Sequence, residues 1–177
     1  MRIYFSLDKS PKQDYNIYLS DYGLRGAMLM NIKSYIKQLD EQMKEYDSIY
    51  HDFAVKYGLS DTAMWILYLI SDESECCTQQ DLCRQCHFPK QTINTALNSL
   101  VKNGYAELEP ISGARNSKRI IITESGRRFA ETTTDKLKRA EDRAYSRFSD
   151  DELNAYLDMT ARLNQYIREE IKNERNK

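Results

Sequence analysis

The side chains best suited to chemistry in this chain form a polar run within residues 89–123. An ammonium group, carboxamides and hydroxyls follow Pro89 at short intervals, at Lys90, Gln91, Thr92, Asn94, Thr95 and Asn98. A second, basic stretch follows, with Arg115, Asn116, Lys118 and Arg119. Carboxamides and hydroxyls can pair with base edges, and ammonium and guanidinium groups can contact phosphates. The pattern therefore indicates DNA binding.

The usual arrangements of catalytic residues are not found in the sequence. Neither His51 nor His87 has a sequence context that suggests a base for a serine nucleophile. There is no glycine-rich phosphate loop and no His-Glu-x-x-His motif. The pair Asp150 and Asp151 fits the start of a helix, where the helix dipole favours acids. We therefore expect no enzymatic activity and no cofactor.

The charge of the chain is distributed unevenly. The net charge is −1 over 177 residues, but residues 84–119 contain six basic and two acidic side chains, a local net of +4 (six minus two). Acidic residues concentrate in segments 40–52, 72–75 and 150–152. A locally basic face on a nearly neutral protein is typical of a specific DNA-binding protein.

The polar run is predicted to belong to a helix-turn-helix. Thr78 and Asp81 form a capping-box pattern that opens a short helix, and Pro89 lies at the start of the next helix. That second helix is expected to bury one face, made by Ile93, Ala96 or Leu97, and Leu100. Gly104 fits a helix end, and residues 105–111 and 119–123 fit the two strands of a hairpin. The sequence therefore predicts a winged helix-turn-helix over residues 58–123.

Long amphipathic helices are predicted on both sides of this domain. Between Ile32 and Tyr57, apolar residues recur in alternating steps of four and three over nearly four heptads. A helix is expected from residue 124 to about residue 148. A last helix is expected from residue 150, opened by a Ser149–Glu152 capping box, with an apolar stripe at Leu153, Leu157, Leu163, Ile167 and Ile171. Such seams need a partner surface. We assign residues 30–57 and 124–174 to helical dimerisation regions, and residues 1–29, which show no sustained period, to an extension whose order the sequence does not settle.

Neither the longest apolar run nor the start of the chain indicates a membrane or secretory segment. Ser60 is expected to cap a helix over residues 61–71 whose centre, residues 63–70, is apolar on all sides. This longest apolar run is far shorter than the roughly 20 residues of a membrane helix. Residues 1–8 are too short and too soon acidic for a secretory signal. We expect a cytoplasmic protein without membrane contact.

On these residues the chain resembles the multiple antibiotic resistance regulator (MarR) family of winged helix-turn-helix transcription factors. The matching segments are Thr78-Gln79-Gln80-Asp81-Leu82, Lys90-Gln91-Thr92-Ile93-Asn94, Lys102-Asn103-Gly104-Tyr105, Arg115-Asn116-Ser117-Lys118 and Ile122-Thr123-Glu124-Ser125-Gly126. The resemblance implies a mostly α fold with a small β-hairpin wing, flanked by N- and C-terminal dimerisation helices. It also implies a homodimeric repressor on double-stranded DNA. Two modules on a two-fold axis would recognise a near-palindrome of about 20 base pairs.

The candidate DNA contacts follow from side-chain chemistry and from the resemblance. Lys90 fits guanine or phosphate, Gln91, Asn94 and Asn98 fit adenine, and Thr95 fits a thymine methyl group. By resemblance, Arg115 would enter the minor groove, with Asn116, Lys118 and Arg119 on the nearby backbone. Thr78, Gln79 and Thr92 complete the candidate set. The family often has an acid before the wing-tip arginine and a serine-type cap before the recognition helix; Gly113-Ala114 and Pro89 stand there in this chain.

Two further groups of residues leave alternatives open. By resemblance, a small aromatic effector would bind near Tyr46, Tyr50, Trp65 and Tyr68, although aromatic residues at helical spacing more usually form plain core. The cluster of Cys76, Cys77, Cys83, Cys86 and His87 is dense enough for a zinc site or a thiol switch. However, Cys83 and Cys86 also fit the inward face of the short helix. A further alternative is a helical protein-interaction module with a vestigial winged helix.

Overall fold

A computed structural model of the chain describes residues 32–72, 77–111, 113 and 118–176. Within them lie seven helices and three short strands. They run in the order α1 (Ile32–Lys56), α2 (Asp61–Ile70), β1 (Cys77–Thr78), α3 (Gln79–Cys86), α4 (Lys90–Lys102), β2 (Ala106–Pro110), β3 (Lys118–Ile122), α5 (Glu124–Thr132), α6 (Thr134–Tyr145) and α7 (Asp150–Arg175). The chain forms two compact units, an N-terminal unit up to Ala130 and a C-terminal unit from Glu131.

The strands form one antiparallel sheet in the order β1-β3-β2. Strands β2 and β3 are the predicted hairpin, with Ala106 opposite Ile122 and Pro110 opposite Lys118. Strand β1 is the third strand and pairs with the other side of β3, with Cys77 opposite Ile120. The mostly helical winged fold with long N- and C-terminal helices is confirmed. The sequence did not predict β1, because two residues are too few to show an alternating pattern.

The core of the N-terminal unit centres on α2. The predicted all-apolar character of this helix is borne out by its burial, since Met64, Ile66 and Leu67 are completely inaccessible to solvent. Ile66 and Leu67 belong to one core cluster with Ile93 and Leu100 of α4 and Leu82 of α3. Both Ala96 and Leu97, proposed as alternatives, are buried. The helix-turn-helix is therefore a packed unit whose second helix has one apolar face inside.

The predicted helix starts agree with the structure. The Ser60 hydroxyl accepts a hydrogen bond from the backbone N–H of Ala63. Complete capping boxes join Thr78 to Asp81 and Ser149 to Glu152. Hydrogen bonds from Thr78 to its carboxylate, aided by nearby Arg84, hold the pKa of Asp81 below its ordinary value. These local hydrogen bonds satisfy N–H groups that have no partner within the helix.

One predicted helix is in fact two. The sequence suggested a single helix from residue 124 to about residue 148, but the backbone leaves helical geometry at Thr133 and divides it into α5 and α6. The break falls within three consecutive threonines, residues 132–134. β-Branched side chains lose rotamer freedom in a helix, and a run of them weakens it locally.

Candidate nucleic-acid interface

The polar face predicted on α4 is exposed along its whole length. The six polar side chains named from the sequence all lie on the surface, at Lys90, Gln91, Thr92, Asn94, Thr95 and Asn98. Lys102, four residues after Asn98, extends the same exposed face. The sequence contained that signal, but Lys102 was not included among the candidate contacts. Because the opposite face is buried, the helix can present these groups to DNA without repacking.

The entry to α4 departs from the usual polar cap. Pro89 is the N-cap residue, with φ of −57°, and its carbonyl accepts a hydrogen bond from the N–H of Ile93 at 3.1 Å. No side-chain hydrogen bond caps this helix. The preceding turn contains His87 in the left-handed region, with φ of 53°, where glycine is the usual residue. The turn is therefore determined by a rigid proline and a left-handed residue instead of a serine-type cap.

A contact between α3 and α4 joins two of the predicted DNA-binding residues. The Gln79 Nε2 group donates a hydrogen bond to Asn94 Oδ1. Thr78, by contrast, uses its hydroxyl within the capping box, where it donates to Asp81 Oδ2 at 2.6 Å. The Thr95 hydroxyl donates to the Gln91 carbonyl oxygen at 3.0 Å. The methyl group of Thr95 does not take part in this bond and can contact a thymine methyl group. The sequence suggested the residues but not these partners.

The wing carries two of the predicted basic residues on β3. Lys118 and Arg119 are exposed, opposite Pro110 and Glu109 of β2. Arg115 and Asn116, the predicted wing-tip residues, lie outside the described residues. The described part of the wing therefore places two cations on a strand next to β2.

The base of the wing is tied to both neighbouring helices through Thr123. Its hydroxyl donates to the Gly104 carbonyl oxygen at 2.6 Å and accepts from the Gly126 N–H at 2.9 Å. A Cβ atom at Gly126 would lie 2.0 Å from the Tyr105 carbonyl oxygen, which leaves room for glycine alone. The Tyr105 ring stacks on Phe129, with centroids 4.3 Å apart. These contacts connect the end of α4, the exit of the wing and the start of α5.

The described cysteines of α3 are part of the core. Cys86 is buried and Cys83 is half-buried, and both are free thiols. Burial, with a smaller effect of Cys83, raises the pKa of the Cys86 thiol to about 11. A thiol with such a pKa is a poor nucleophile at neutral pH. Cys76 lies outside the described residues, and only the backbone of Cys77 is described. Within the described residues, no group of three His, Cys, Asp or Glu side chains has the arrangement of a metal site.

The aromatic residues proposed for an effector lie together. Ring centroids are 4.7 Å apart for Tyr46 and Tyr50, 5.0 Å for Tyr50 and Trp65, and 5.5 Å for Trp65 and Tyr68. The first three line a cavity of about 180 Å³, whereas Tyr68 is absent from its wall. The remaining wall residues are Asp47, His51, Asp61 and Phe88, none of which was proposed from the sequence. Three of the four proposed aromatic residues therefore line a cavity that also has acidic wall residues, whereas Tyr68 packs against Trp65.

Comparison with known proteins shows which family part of this chain resembles. The sequence model of the MarR family matches residues 57–115, which contain α2, α3, α4 and β2. This segment, about a third of the chain, is similar to the MarR family. The MarR family consists of DNA-binding transcription regulators, not enzymes. A comparison with curated protein sequences gives no match.

Solved MarR structures share the fold over most of the chain. A MarR family regulator from Neisseria meningitidis is similar with a TM-score of 0.64 and 22% identity, over 80% of this chain and 99% of that one. Streptococcus pneumoniae FabT, solved in complex with DNA, gives a TM-score of 0.58 at 16% identity, over 76% and 98%. Staphylococcus aureus MarR, in complex with salicylate and kanamycin, gives 0.59 at 14%, over 78% and 93%. Among the described residues, no helix combines the length and apolar character needed to cross a bilayer.

Proposed function

We propose that this protein is a homodimeric repressor that binds a near-palindromic DNA operator and is released by a small ligand. The observation that carries the proposal is the division of α4 into a buried apolar face and an exposed polar face. The exposed face combines two kinds of group that DNA recognition needs, carboxamides for bases and ammonium groups for phosphates. In helix-turn-helix proteins bound to DNA, the second helix lies in the major groove, which supports this role for α4.

Within this proposal the exposed face of α4 supplies the base contacts. Gln91, Asn94 and Asn98 carry carboxamides that can pair with adenine through two hydrogen bonds each. Lys90 and Lys102 lie near the two ends of the helix and suit phosphates or guanine. Lys118 and Arg119 of the wing, with the predicted Arg115 and Asn116, would contact the backbone and the minor groove. Thr78, Gln79, Thr92 and Thr95 complete the proposed interface.

The exposed apolar faces of the two long helices support a homodimer. On α1, Ile32, Ile36 and Leu39 are 69%, 62% and 42% exposed. Helix α7 exposes its own apolar residues, at Tyr156, Leu157, Met159, Leu163, Tyr166, Ile167 and Ile171. Contiguous apolar surface of this kind marks an interaction site in a soluble protein. In an isologous dimer each face meets its own copy, which gives the two-fold axis that a palindromic operator requires.

Selection of bound sequences from a random DNA library tests the proposal directly. We expect enrichment of a near-palindrome and an affinity that falls steeply with added salt, because cations at the interface displace counterions from phosphates. The double variant Asn94→Ala, Asn98→Ala should lose at least about tenfold in affinity, since each bidentate base contact contributes roughly 1–3 kcal/mol.

Asn154→Ala, an exposed asparagine of α7, is the matched control and should bind the selected DNA normally. The circular dichroism and thermal unfolding of both proteins should equal those of the wild type. A protein that enriched no sequence at about 150 mM salt would contradict a specific regulator and favour the protein-interaction module.

A further inference from the structure

The cavity beside the helix-turn-helix has a wall made mainly of aromatic rings. It lies within the N-terminal unit, between α1, α2 and the turn before α4, and Tyr46, Tyr50, Trp65 and Phe88 contribute to it. Aromatic rings have negative faces, which attract cations. A volume of about 180 Å³ suits one ring with a short substituent, because cavities for drug-sized ligands are larger.

The polar part of the same wall is acidic. It consists of Asp47, His51 and Asp61, and none of the seven wall residues is a lysine or an arginine. His51 Nδ1 lies 2.9 Å from Asp61 Oδ1, which links α1 to the first turn of α2. With two carboxylates and neither lysine nor arginine in the wall, an anionic ligand is disfavoured there and a cation is attracted.

The cavity also touches the segment that begins the recognition helix. Phe88 is half-buried, packs against the core and immediately precedes Pro89, the N-cap residue of α4. A ligand in contact with the Phe88 ring would therefore contact the turn that leads into α4. Differential contact of this kind is what a ligand needs in order to favour one position of α4 over another.

We propose that this cavity binds a small, flat organic cation, such as an amidinium or quaternary ammonium group attached to one aromatic ring. An aromatic carboxylate is disfavoured there, and contact with Phe88 transmits occupancy to α4. The inference rests on the proposed ligand-responsive regulator and names the chemical class of its effector. It narrows the small aromatic effector implied by the family resemblance to a cation, because this wall carries two carboxylates and no lysine or arginine.

Trp65 allows a direct test in the full-length protein. It is the only tryptophan of the chain and forms part of the wall, so its fluorescence reports occupancy. Benzamidinium and benzoate have nearly the same shape and opposite charge. We expect a saturable change with benzamidinium at millimolar concentrations, and an affinity for benzoate at least about tenfold lower.

Two matched variants of α1 separate wall charge from overall charge. Asp47→Asn should weaken benzamidinium binding several-fold, whereas Asp52→Asn should not, because Asp52 is exposed on the same helix but absent from the wall. Benzoate binding as well as benzamidinium, or equal effects of the two variants, would overturn the selectivity for cations. Absence of a saturable change up to about 10 mM benzamidinium would overturn the site itself, since a one-ring fragment in a good site binds within that range.

The coupling to α4 is tested separately on the selected DNA. In the wild type, benzamidinium should lower DNA affinity. Phe88→Leu removes a wall residue, so it is compared at saturating benzamidinium, as judged by Trp65 fluorescence, and there it should reduce this effect. An unchanged effect in Phe88→Leu, or no effect in the wild type, would overturn the coupling. DNA selection without any ligand tests the regulator itself, so its outcome is independent of whether the cavity binds cations.

Discussion

Helices α1 and α4 are both amphipathic, but their apolar faces differ in how far they are buried. In α4 the apolar face is buried by the same unit, with Ile93 and Leu100 completely inaccessible. In α1 only Tyr50 and Ala54 are buried, and four apolar residues of its first half are exposed, at Ile32, Tyr35, Ile36 and Leu39. A periodic pattern predicts that a helix buries one face, but it does not say whether the partner belongs to the same chain. The exposed half of α1 is therefore the face that the second subunit of the proposed homodimer would cover.

The largest expected effect concerns the buried face. Leu100→Ala should lower the free energy of unfolding by about 3 kcal/mol, because it removes a fully buried side chain and leaves a cavity. The loss should be the same at low and high protein concentration. Chemical denaturation at several concentrations measures it, with Ile36→Ala as the matched control on α1. If Ile36→Ala cost as much in the dilute protein, the two faces would not differ in the way proposed.

The next effect concerns the exposed face. Leu39→Asp should weaken self-association by roughly 2 kcal/mol or more, because it places an unpaired charge in an apolar interface. Analytical ultracentrifugation should show a shift toward monomer with helix content retained. Lys33→Asp introduces the same group on α1 outside the apolar heptad positions and serves as the control. A dimer that tolerated Leu39→Asp would place the interface elsewhere.

A smaller effect is expected between α3 and α4. Gln79→Ala should weaken binding to the selected operator by about 1 kcal/mol, through loss of the hydrogen bond that holds the Asn94 side chain. The double variant with Asn94→Ala should then cost little more than Asn94→Ala alone, as a double-mutant cycle measures. Strictly additive effects would show that Gln79 contacts DNA independently of Asn94.

The smallest effect is on acid stability. Hydrogen bonds from Thr78 lower the folded-state pKa of Asp81, so this carboxylate stabilises the fold at pH values above its ordinary pKa. That contribution is lost as the pH falls through the lowered pKa. Thr78→Val should reduce stability at neutral pH. It should also flatten the decline in stability as the pH falls from about 4, the ordinary pKa of an aspartate, toward the lowered pKa of folded Asp81. Thermal unfolding between pH 2 and pH 7 measures this pH dependence, and Thr92→Val, at an exposed position of α4, is the control. Equal pH profiles for wild type and Thr78→Val would contradict the proposed effect of Thr78 on Asp81.

Local patterns predicted most of the fold, and distant contacts account for what they missed. The capping residues Ser60, Thr78 and Ser149 act on neighbours three residues away, so the sequence reveals them directly. The Gln79–Asn94 and His51–Asp61 contacts join residues 15 and 10 positions apart on different helices. Those pairs depend on how helices pack, which periodicity does not specify. The acidic wall of the cavity was missed for the same reason.

The hydrogen bonds of Thr123 and the close approach at Gly126 have a consequence for the spacing of the proposed contacts along DNA. With the start of α5, the exit of the wing and the end of α4 held by one hydroxyl and one glycine, the wing cannot swing freely about the recognition helix. In the proposed complex, the major-groove contacts of α4 and the minor-groove contacts of the wing would then stay at a constant distance from each other within one subunit. Adjustment to operators of different length would be left to the contact between subunits.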